Sequence, residues 1–233
     1  SYYVFRPLWT YEAEAKGSRI LLYFYSANIE LTEVSKKYTL QHSWHLMSWP
    51  NYLVWDHYQA NFIKTHNKHS CEILEVGSIW YSSYEKEVDL PQNSIAVFDI
   101  TPFRISWHAS LGVSFEYFTY EFVNKFLTDI KLVLNENNIV MSHKMKRITS
   151  LANKKYVRRI KVLSGDLNYI SINPSIDAFQ VIQKTKASIS IHFTSTSTIA
   201  KFQNKPTVYY DPTGLMLKEL NAAHGIPILS NID

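Results

Sequence analysis

The chain has little cysteine, little glycine and no long apolar run. Cys71 is the only cysteine among 233 residues, so an intrachain disulfide is impossible and a reducing, cytoplasmic location is expected. The sequence contains no run of about 18 apolar residues, which excludes a membrane-spanning helix. It opens at Ser1 without a methionine or a signal peptide, and we therefore expect a fragment or a processed chain.

Apolar and aromatic side chains are abundant. Hydrophobic residues make up 46% of the sequence and aromatic residues 15%, enough for one large core or two smaller ones. The formal net charge of +4 is only mildly basic. Its distribution is uneven, because the segment from Lys144 to Lys161 contains basic residues and no acid.

Strand and helix patterns alternate through the second half of the chain. Apolar runs at 95–99, 139–141, 169–172, 188–193 and 207–210 predict strands, and the spacing at 120–135 and 176–185 predicts helices. This order predicts an α/β fold with a doubly wound, mostly parallel sheet. Similar patterns at 18–25, 52–65 and 72–78 predict part of a second α/β domain. We place the domains at 1–80 and 94–233, joined by a linker at 81–93.

Five consecutive hydroxyl residues follow the predicted strand at 188–193: Thr194, Ser195, Thr196, Ser197 and Thr198. Helical spacing continues after them, so they begin a helix, which Lys205-Pro206 ends. A helix N-terminus at the carboxyl end of a parallel strand is an anion site, most often for phosphate. The alternative is an ordinary polar N-cap, and the loop alone leaves both interpretations open.

The segment FTSTSTIAKFQNKPTVYYDPTG, followed by HGIPI, resembles the nucleotide-sugar half of GT-B glycosyltransferases that build bacterial surface polysaccharide, such as capsule, O-antigen or lipopolysaccharide. The resemblance extends over about residues 94–233. It implies a GT-B-like, Rossmann-type donor domain beside part of a second Rossmann-like domain. It also implies transfer of a sugar from a CMP- or UDP-linked donor to a growing glycan, without a bound metal or a permanently bound cofactor.

Ligands of an open parallel sheet bind beyond the carboxyl ends of its strands, so the loops at 99–104, 142–147, 173–177 and 193–198 are expected to meet. We select Lys144, Lys146 and Arg147, with the five hydroxyl residues, for the donor phosphates because basic side chains bind phosphate. A solvated basic face is the alternative, especially for 154–161.

Glycosyl transfer needs a base or nucleophile and stabilisation of the departing phosphate. Asp99 at a strand end and Glu75 near the predicted cleft are the candidate acids, and His143 is a candidate for neutralising charge. A structural cap, a surface acid or a packed histidine is the alternative for each. The resemblance further implies that Asn173, Pro174 and Asp177 lie near the base or ribose, and that Tyr210 and Asp211 flank the donor.

The expected partners are a nucleotide sugar and a glycan or lipid-linked glycan acceptor. The basic run also suits anionic lipid headgroups, which predicts peripheral contact with the inner membrane, whereas no motif indicates nucleic-acid binding. The pairs His42/His45 and His66/His69 lack the further ligands of a zinc site. Two other functions remain open: a sugar-nucleotide epimerase or hydrolase on the same scaffold, and a non-catalytic nucleotide-binding or assembly module.

Overall fold

The structure is a computed structural model that describes residues 5–27, 46–78, 88–103, 119–146 and 150–231. The described strands form two parallel sheets, one of three strands and one of six. The six-stranded sheet begins at Ser94, immediately after the predicted linker. Residues 81–87 of that linker lie outside the described residues, and the domain boundaries stay predictions.

The smaller sheet has the strand order β1-β2-β3. Its unit consists of α1 (Leu8–Ala15), β1 (Leu22–Tyr23), β2 (Asn51–Val54), α2 (His57–His66) and β3 (Glu72–Glu75). Asp56 is the N-cap of α2, because its Oδ1 accepts a hydrogen bond from the Gln59 amide at 3.1 Å.

The larger sheet alternates strands with helices. Its elements are β4 (Ser94–Phe98), α3 (Tyr120–Glu136), β5 (Val140–Lys144), α4 (Lys154–Leu163), β6 (Tyr169–Ile172), α5 (Ala178–Lys184), β7 (Ala187–Ser190), α6 (Ser195–Phe202), β8 (Thr207–Tyr210), a 3₁₀ turn (Asn221–Ala223) and β9 (Ile228–Leu229). Helix α3 buries Phe122, Phe126, Ile130 and Leu134, the i, i+4 face that the sequence predicts.

The strand order of this sheet is β6-β5-β4-β7-β8-β9, and every neighbouring pair is parallel. The chain therefore winds outward from β4 to one edge, returns to the middle at β7 and winds to the other edge. This is the doubly wound Rossmann order, so the predicted fold class is confirmed. The reversal between β4 and β7 opens a crevice beyond their carboxyl ends.

Two hydrophobic clusters cover the two faces of β4. Side chains alternate along a strand, so Val97 packs in the cluster with α3, whereas Ala96 and Phe98 face the opposite side. That second cluster also contains Ile199 of α6 and Trp55 beside the smaller sheet. This second cluster is therefore a hydrophobic core that the two units share.

Several elements differ from their predicted extent. The strand predicted at 18–25 is limited to Leu22–Tyr23, where it pairs with β2 alone. The strand predicted at 188–193 ends at Ser190, because a turn follows in which the Thr194 amide donates to the Ile191 carbonyl at 3.2 Å. Residues 157–163, which show no clear pattern, belong to helix α4, whose N-cap is Asn153.

Candidate functional site

A pocket of ≈ 220 Å³ lies at the carboxyl ends of β4, β5 and β7, where the strand order reverses. It is lined by Tyr25, Ser26, Phe98, Asp99, Lys144, Lys146, Thr194, Ser195, Thr196 and Ile199. Three of the four loops expected to meet thus contribute to one cavity. Pockets for whole small-molecule ligands begin at roughly 300 Å³, so the described part of this pocket suits the phosphate end of a larger ligand.

The hydroxyl loop forms one side of the pocket at the start of α6. Thr194 occupies the N-cap position, but its side chain makes no capping hydrogen bond to the first turn. Instead its hydroxyl donates to the Ile191 carbonyl at 3.0 Å, and the Thr196 hydroxyl lies 2.9 Å from that of Ser190. The loop is therefore not the ordinary side-chain cap of the alternative interpretation.

Two lysines bring positive charge to the same cavity. Lys144 ends β5, and its ammonium group donates to the Pro174 carbonyl at 3.2 Å. Burial lowers the pKa of Lys144, although Asp177 and Asp99 partly oppose this shift. Lys146 is exposed at the rim. Together with the positive end of the α6 dipole, these groups favour an anion.

The floor of the pocket is a buried polar cluster around Asp99. Its Oδ2 accepts a hydrogen bond of 2.6 Å from the Tyr156 hydroxyl and lies 3.1 Å from His143 Nε2, without the alignment of a hydrogen bond. His143 Nδ1 lies 2.6 Å from the Tyr169 hydroxyl. Burial, followed by the charge of Asp99, raises the pKa of both tyrosines. Both phenols therefore stay protonated and can donate.

Asp99 has one oxygen to offer a ligand. Its Oδ1 is buried and has no hydrogen-bond partner among the described residues. A buried carboxylate oxygen in this state costs free energy unless a ligand or water donates to it. Asp99 is therefore suited to accept a hydrogen bond from a hydroxyl group in the pocket.

Ser197 and Thr198 do not line the cavity, although they belong to the predicted phosphate set. Both are buried, and their hydroxyls lie beside the Tyr209 phenol. The pKa of Tyr209 is raised by burial, and these two hydroxyls only partly oppose that shift. They face the interior because a helix turns successive side chains by about 100°, so not all five hydroxyls can share one side.

The loop at 173–177 supports Lys144 instead of lining the pocket. Pro174 supplies the carbonyl that accepts from Lys144, and Asp177 caps α5 by accepting from the Phe179 amide at 2.8 Å. The Asn173 side chain accepts from the Ser175 amide at 2.9 Å. The structure thus gives these residues local roles and does not place them against the cavity.

Tyr210 and Asp211 lie away from this pocket. The Tyr210 hydroxyl donates to Asp129 Oδ2 of α3 at 2.7 Å, on the opposite side of the sheet from α6. Asp211 is buried and closes the following turn by accepting from the amides of Thr213 and Met216. Alternation along β8 explains the difference, because Tyr209 faces the hydroxyl loop and its neighbour cannot.

Two further predicted residues are not placed in the cavity. Glu75 ends β3 and is exposed, and it does not line the pocket as the described residues define it. Arg147 lies outside the described residues, as do His42 and His45. No described group of three or more His, Cys, Asp or Glu side chains is arranged to hold a metal ion.

The predicted site residues did not include Tyr25, Ser26, Tyr156 and Tyr169. Tyr25 and Ser26 follow β1, and the rule that ligands bind beyond strand ends applies to them as well. Tyr156 and Tyr169 reach the floor through the packing of α4 and β6, which no local pattern shows.

Over residues 1–233 the sequence matches the family described as "Polysaccharide biosynthesis PFTS motif protein". The chain belongs to this family. The predicted connection with polysaccharide biosynthesis is thereby confirmed. Residues 192–195 of this PFTS-family chain read HFTS, which matches the sequence PFTS at three of its four positions. Thr194 and Ser195 of this segment line the pocket. No curated protein matches the sequence.

Solved structures resemble the whole described fold at low sequence identity. The pneumococcal O-GlcNAc transferase GtfA, in complex with UDP and GlcNAc, matches with a TM-score of 0.50 and 7% identity over 94% of this chain and 42% of GtfA. TarM matches with a TM-score of 0.48 and 11% identity over 93% of this chain and 41% of TarM. The PFTS-family chain thus spans about two fifths of these proteins, and the GtfA likeness supports the GT-B-like fold.

No helix in the described part of the chain combines the length and apolar character needed to cross a membrane.

Proposed function

We propose that this chain carries the donor-binding part of a glycosyltransferase that acts in polysaccharide biosynthesis. The substrate is a nucleotide sugar linked to UDP or CMP, and the acceptor is a growing or lipid-linked glycan. GtfA, whose fold this chain shares, was crystallised with UDP and GlcNAc, which supports a nucleotide sugar here as well. Family membership supports the role in polysaccharide synthesis.

The observation that carries the proposal is the meeting of Lys144, Lys146 and the hydroxyl loop at the Rossmann crevice. Phosphate needs positive charge and hydrogen-bond donors, and this edge of the sheet supplies both. Charge stabilisation of the departing nucleotide is the main task of a transferase that uses no metal. When the bond between the sugar and phosphate breaks, these groups would hold the leaving phosphate.

Asp99 is the candidate for contact with a sugar hydroxyl. Its Oδ2 is held by Tyr156 and lies beside His143, whereas its buried Oδ1 has no described partner. A carboxylate fixed in this way can accept a hydrogen bond or a proton at a defined position. We propose that Asp99 is the catalytic acid–base group, with His143 Nε2 fixed beside its Oδ2.

Helix α4 provides a candidate membrane contact. Lys154, Arg158 and Lys161 lie on its outward side and are exposed, and none forms an ion pair with a described residue. Val157 and Val162 flank them with 55% and 67% of their surface exposed. Cations beside exposed apolar side chains suit an anionic bilayer, which would bring the enzyme to a lipid-linked acceptor.

Calorimetric titration with UDP, CMP and GDP tests the donor site. We expect UDP or CMP to bind, and Lys146→Ala to weaken binding by about 1–3 kcal/mol, because a charged contact to phosphate is lost. Lys161→Ala is the matched control, since it removes an exposed lysine far from the cavity lining. Binding of none of the three nucleotides, or equal affinity of both variants, would contradict the proposal.

Donor turnover then separates the competing functions. A transferase releases nucleotide faster when a glycan acceptor is present, whereas a hydrolase or epimerase consumes the donor without one. Binding without turnover under either condition would favour the non-catalytic module.

A further inference from the structure

The chain segment after β1 forms a wall of the donor pocket and is held by side chains of other elements. Tyr25 and Ser26 line the cavity. On either side of Tyr25, the Phe24 carbonyl accepts from Trp55 Nε1 at 2.6 Å and the Ser26 carbonyl accepts from Gln59 Nε2 at 3.1 Å. These bonds tie the wall to the start of α2.

Ala27 ties the same wall to the larger unit. Its amide donates to the Ser195 hydroxyl at 3.1 Å, and Ser195 is the first residue of α6. Its carbonyl lies 2.7 Å from His224 Nε2, just beyond the 3₁₀ turn. The Ala27 peptide groups therefore connect the pocket wall with both the hydroxyl loop and His224.

Both ring nitrogens of His224 face oxygen atoms that can only accept. Nε2 contacts the Ala27 carbonyl, and Nδ1 lies 2.7 Å from Asp56 Oδ2. Neutral imidazole carries only one N–H, so both contacts are hydrogen bonds only when the ring carries two. His224 is 1% exposed, and the Asp56 carboxylate supplies the charge that compensates a buried imidazolium.

The surroundings of Asp56 agree with an ionised carboxylate. Burial raises the pKa of Asp56, but the hydrogen bond to His224, the charge of His224 and the Gln59 amide outweigh burial, and the pKa lies below its usual value. His57 also contributes a small lowering. Asp56 therefore remains the partner of a cationic ring down to acidic pH.

The position of His224 is fixed from several sides. Its carbonyl accepts from the Lys201 ammonium of α6 at 2.6 Å, and its ring packs edge-on against Tyr58 of α2. A Cβ on the next residue, Gly225, would clash with the Tyr58 hydroxyl, so the backbone approaches α2 closely here. Among the described residues, the charged and titratable groups against His224 are thus Asp56, Tyr58 and Lys201, and the charge of His57 acts on Asp56.

We propose that His224 is a positioning residue for the donor site: as an imidazolium bound to Asp56, it holds Ala27 against Ser195 and thereby fixes the Tyr25–Ala27 wall of the pocket. This role rests on the proposed function only in its effect on donor binding. A neutral ring would keep only one of these two hydrogen bonds, because one of its nitrogens would then carry no N–H.

Hydrogen exchange of the Ala27 amide, followed by NMR on the ligand-free protein, tests the contact directly. We expect exchange at Ala27 to be about tenfold faster in His224→Gln than in the wild type, because a broken contact opens the segment locally. The Val76 amide, which donates to the Val54 carbonyl at 2.8 Å, is the internal reference and should not change. Asp56→Asn, in which the amide oxygen still caps α2, should also accelerate exchange at Ala27.

UDP affinity of the folded protein distinguishes positioning from a merely structural role. It should be about tenfold weaker in His224→Gln than in the wild type, because a loosened wall no longer holds its place in the donor pocket. His69→Gln, at an exposed histidine, should bind UDP as the wild type does.

The outcomes separate the two proposals. Unchanged exchange at Ala27 in His224→Gln would overturn the role of His224, as would faster exchange with unchanged UDP affinity. Failure of wild-type protein to bind UDP, CMP or GDP would count against the proposed function, while the exchange result would still decide whether His224 holds Ala27.

Discussion

Tyr210 is a residue whose role is decided by the face of the strand on which it lies. Its hydroxyl donates to Asp129 of α3, away from the pocket. We expect Tyr210→Phe to lower the free energy of unfolding by about 1–2 kcal/mol, because a hydrogen bond to a buried carboxylate is lost. Urea denaturation measures this change, and calorimetry with the same variant should show unchanged nucleotide affinity.

Tyr120→Phe is the control for removing a hydroxyl. Among the described residues, the Tyr120 hydroxyl makes one long contact, of 3.4 Å with Asn124, so its loss should alter stability by less than about 0.5 kcal/mol. Weaker nucleotide binding by Tyr210→Phe would show that the sequence resemblance placed this residue correctly and that the face of β8 does not decide its role.

Single residues were predictable where chemistry and position in a strand agree. Asp99, Lys144 and Thr196 end or follow strands whose apolar pattern is clear, and all three line the pocket. Tyr210 and Asp211 follow an equally clear strand, but the sequence does not show which face of the strand meets the ligand. Tyr156 reaches Asp99 from a different element, and such a long-range contact leaves no local pattern.

At the scale of elements, helix α4 tests whether the basic run is more than a solvated surface. We expect the triple variant Lys154→Gln, Arg158→Gln and Lys161→Gln to lose about 3 kcal/mol of binding to phosphatidylserine-containing vesicles, at roughly 1 kcal/mol for each cation. Co-sedimentation with vesicles measures this loss. Pure phosphatidylcholine vesicles should bind both proteins weakly.

The control for α4 removes the same charge elsewhere. Lys64, Lys68 and Lys184 are exposed elsewhere in the described chain, and their triple change to Gln should leave vesicle binding unaltered. Equal losses in both triple variants would indicate a response to net charge alone, and the assignment of α4 as the contact surface would be wrong.

Elements were predictable where propensity and capping agree. Helices α3 and α6 and strand β8 match their patterns closely, and Asp56 marks the start of α2. Helix α4 was not predicted because its outward side alternates cations with Val157 and Val162, which obscures the apolar period. Its buried side is set by Tyr156, Ile160 and Leu163, which become recognisable as a face only when the helix is known.

At the scale of the whole molecule, stability should depend on pH through His192. Burial lowers the pKa of His192 to about 4, although Asp211 opposes the shift. The unfolded chain, with a histidine pKa near 6.5, therefore binds more protons between pH 6.5 and 4, and stability rises with pH in this window. The difference between the two pKa values of His192 lowers the free energy of unfolding by about 3 kcal/mol when the pH falls from 7 to 4.

Urea unfolding of wild type and His192→Gln across this window measures the effect as a difference. Between pH 7 and pH 4, the free energy of unfolding should fall by about 3 kcal/mol less in the variant than in the wild type, because the glutamine side chain does not titrate. Other groups contribute equally to both proteins. Parallel stability curves would mean that His192 is as easily protonated in the folded chain as in the unfolded one.

The core shared by the two units restricts how this protein can be recombined. Ala96, Phe98 and Ile199 of the larger unit are buried together with Tyr52 and Trp55 of the smaller one. A chimera that takes its first unit from a relative must therefore contain apolar side chains that fit this shared core. Sequence change in one unit is then constrained by the shape of the other unit.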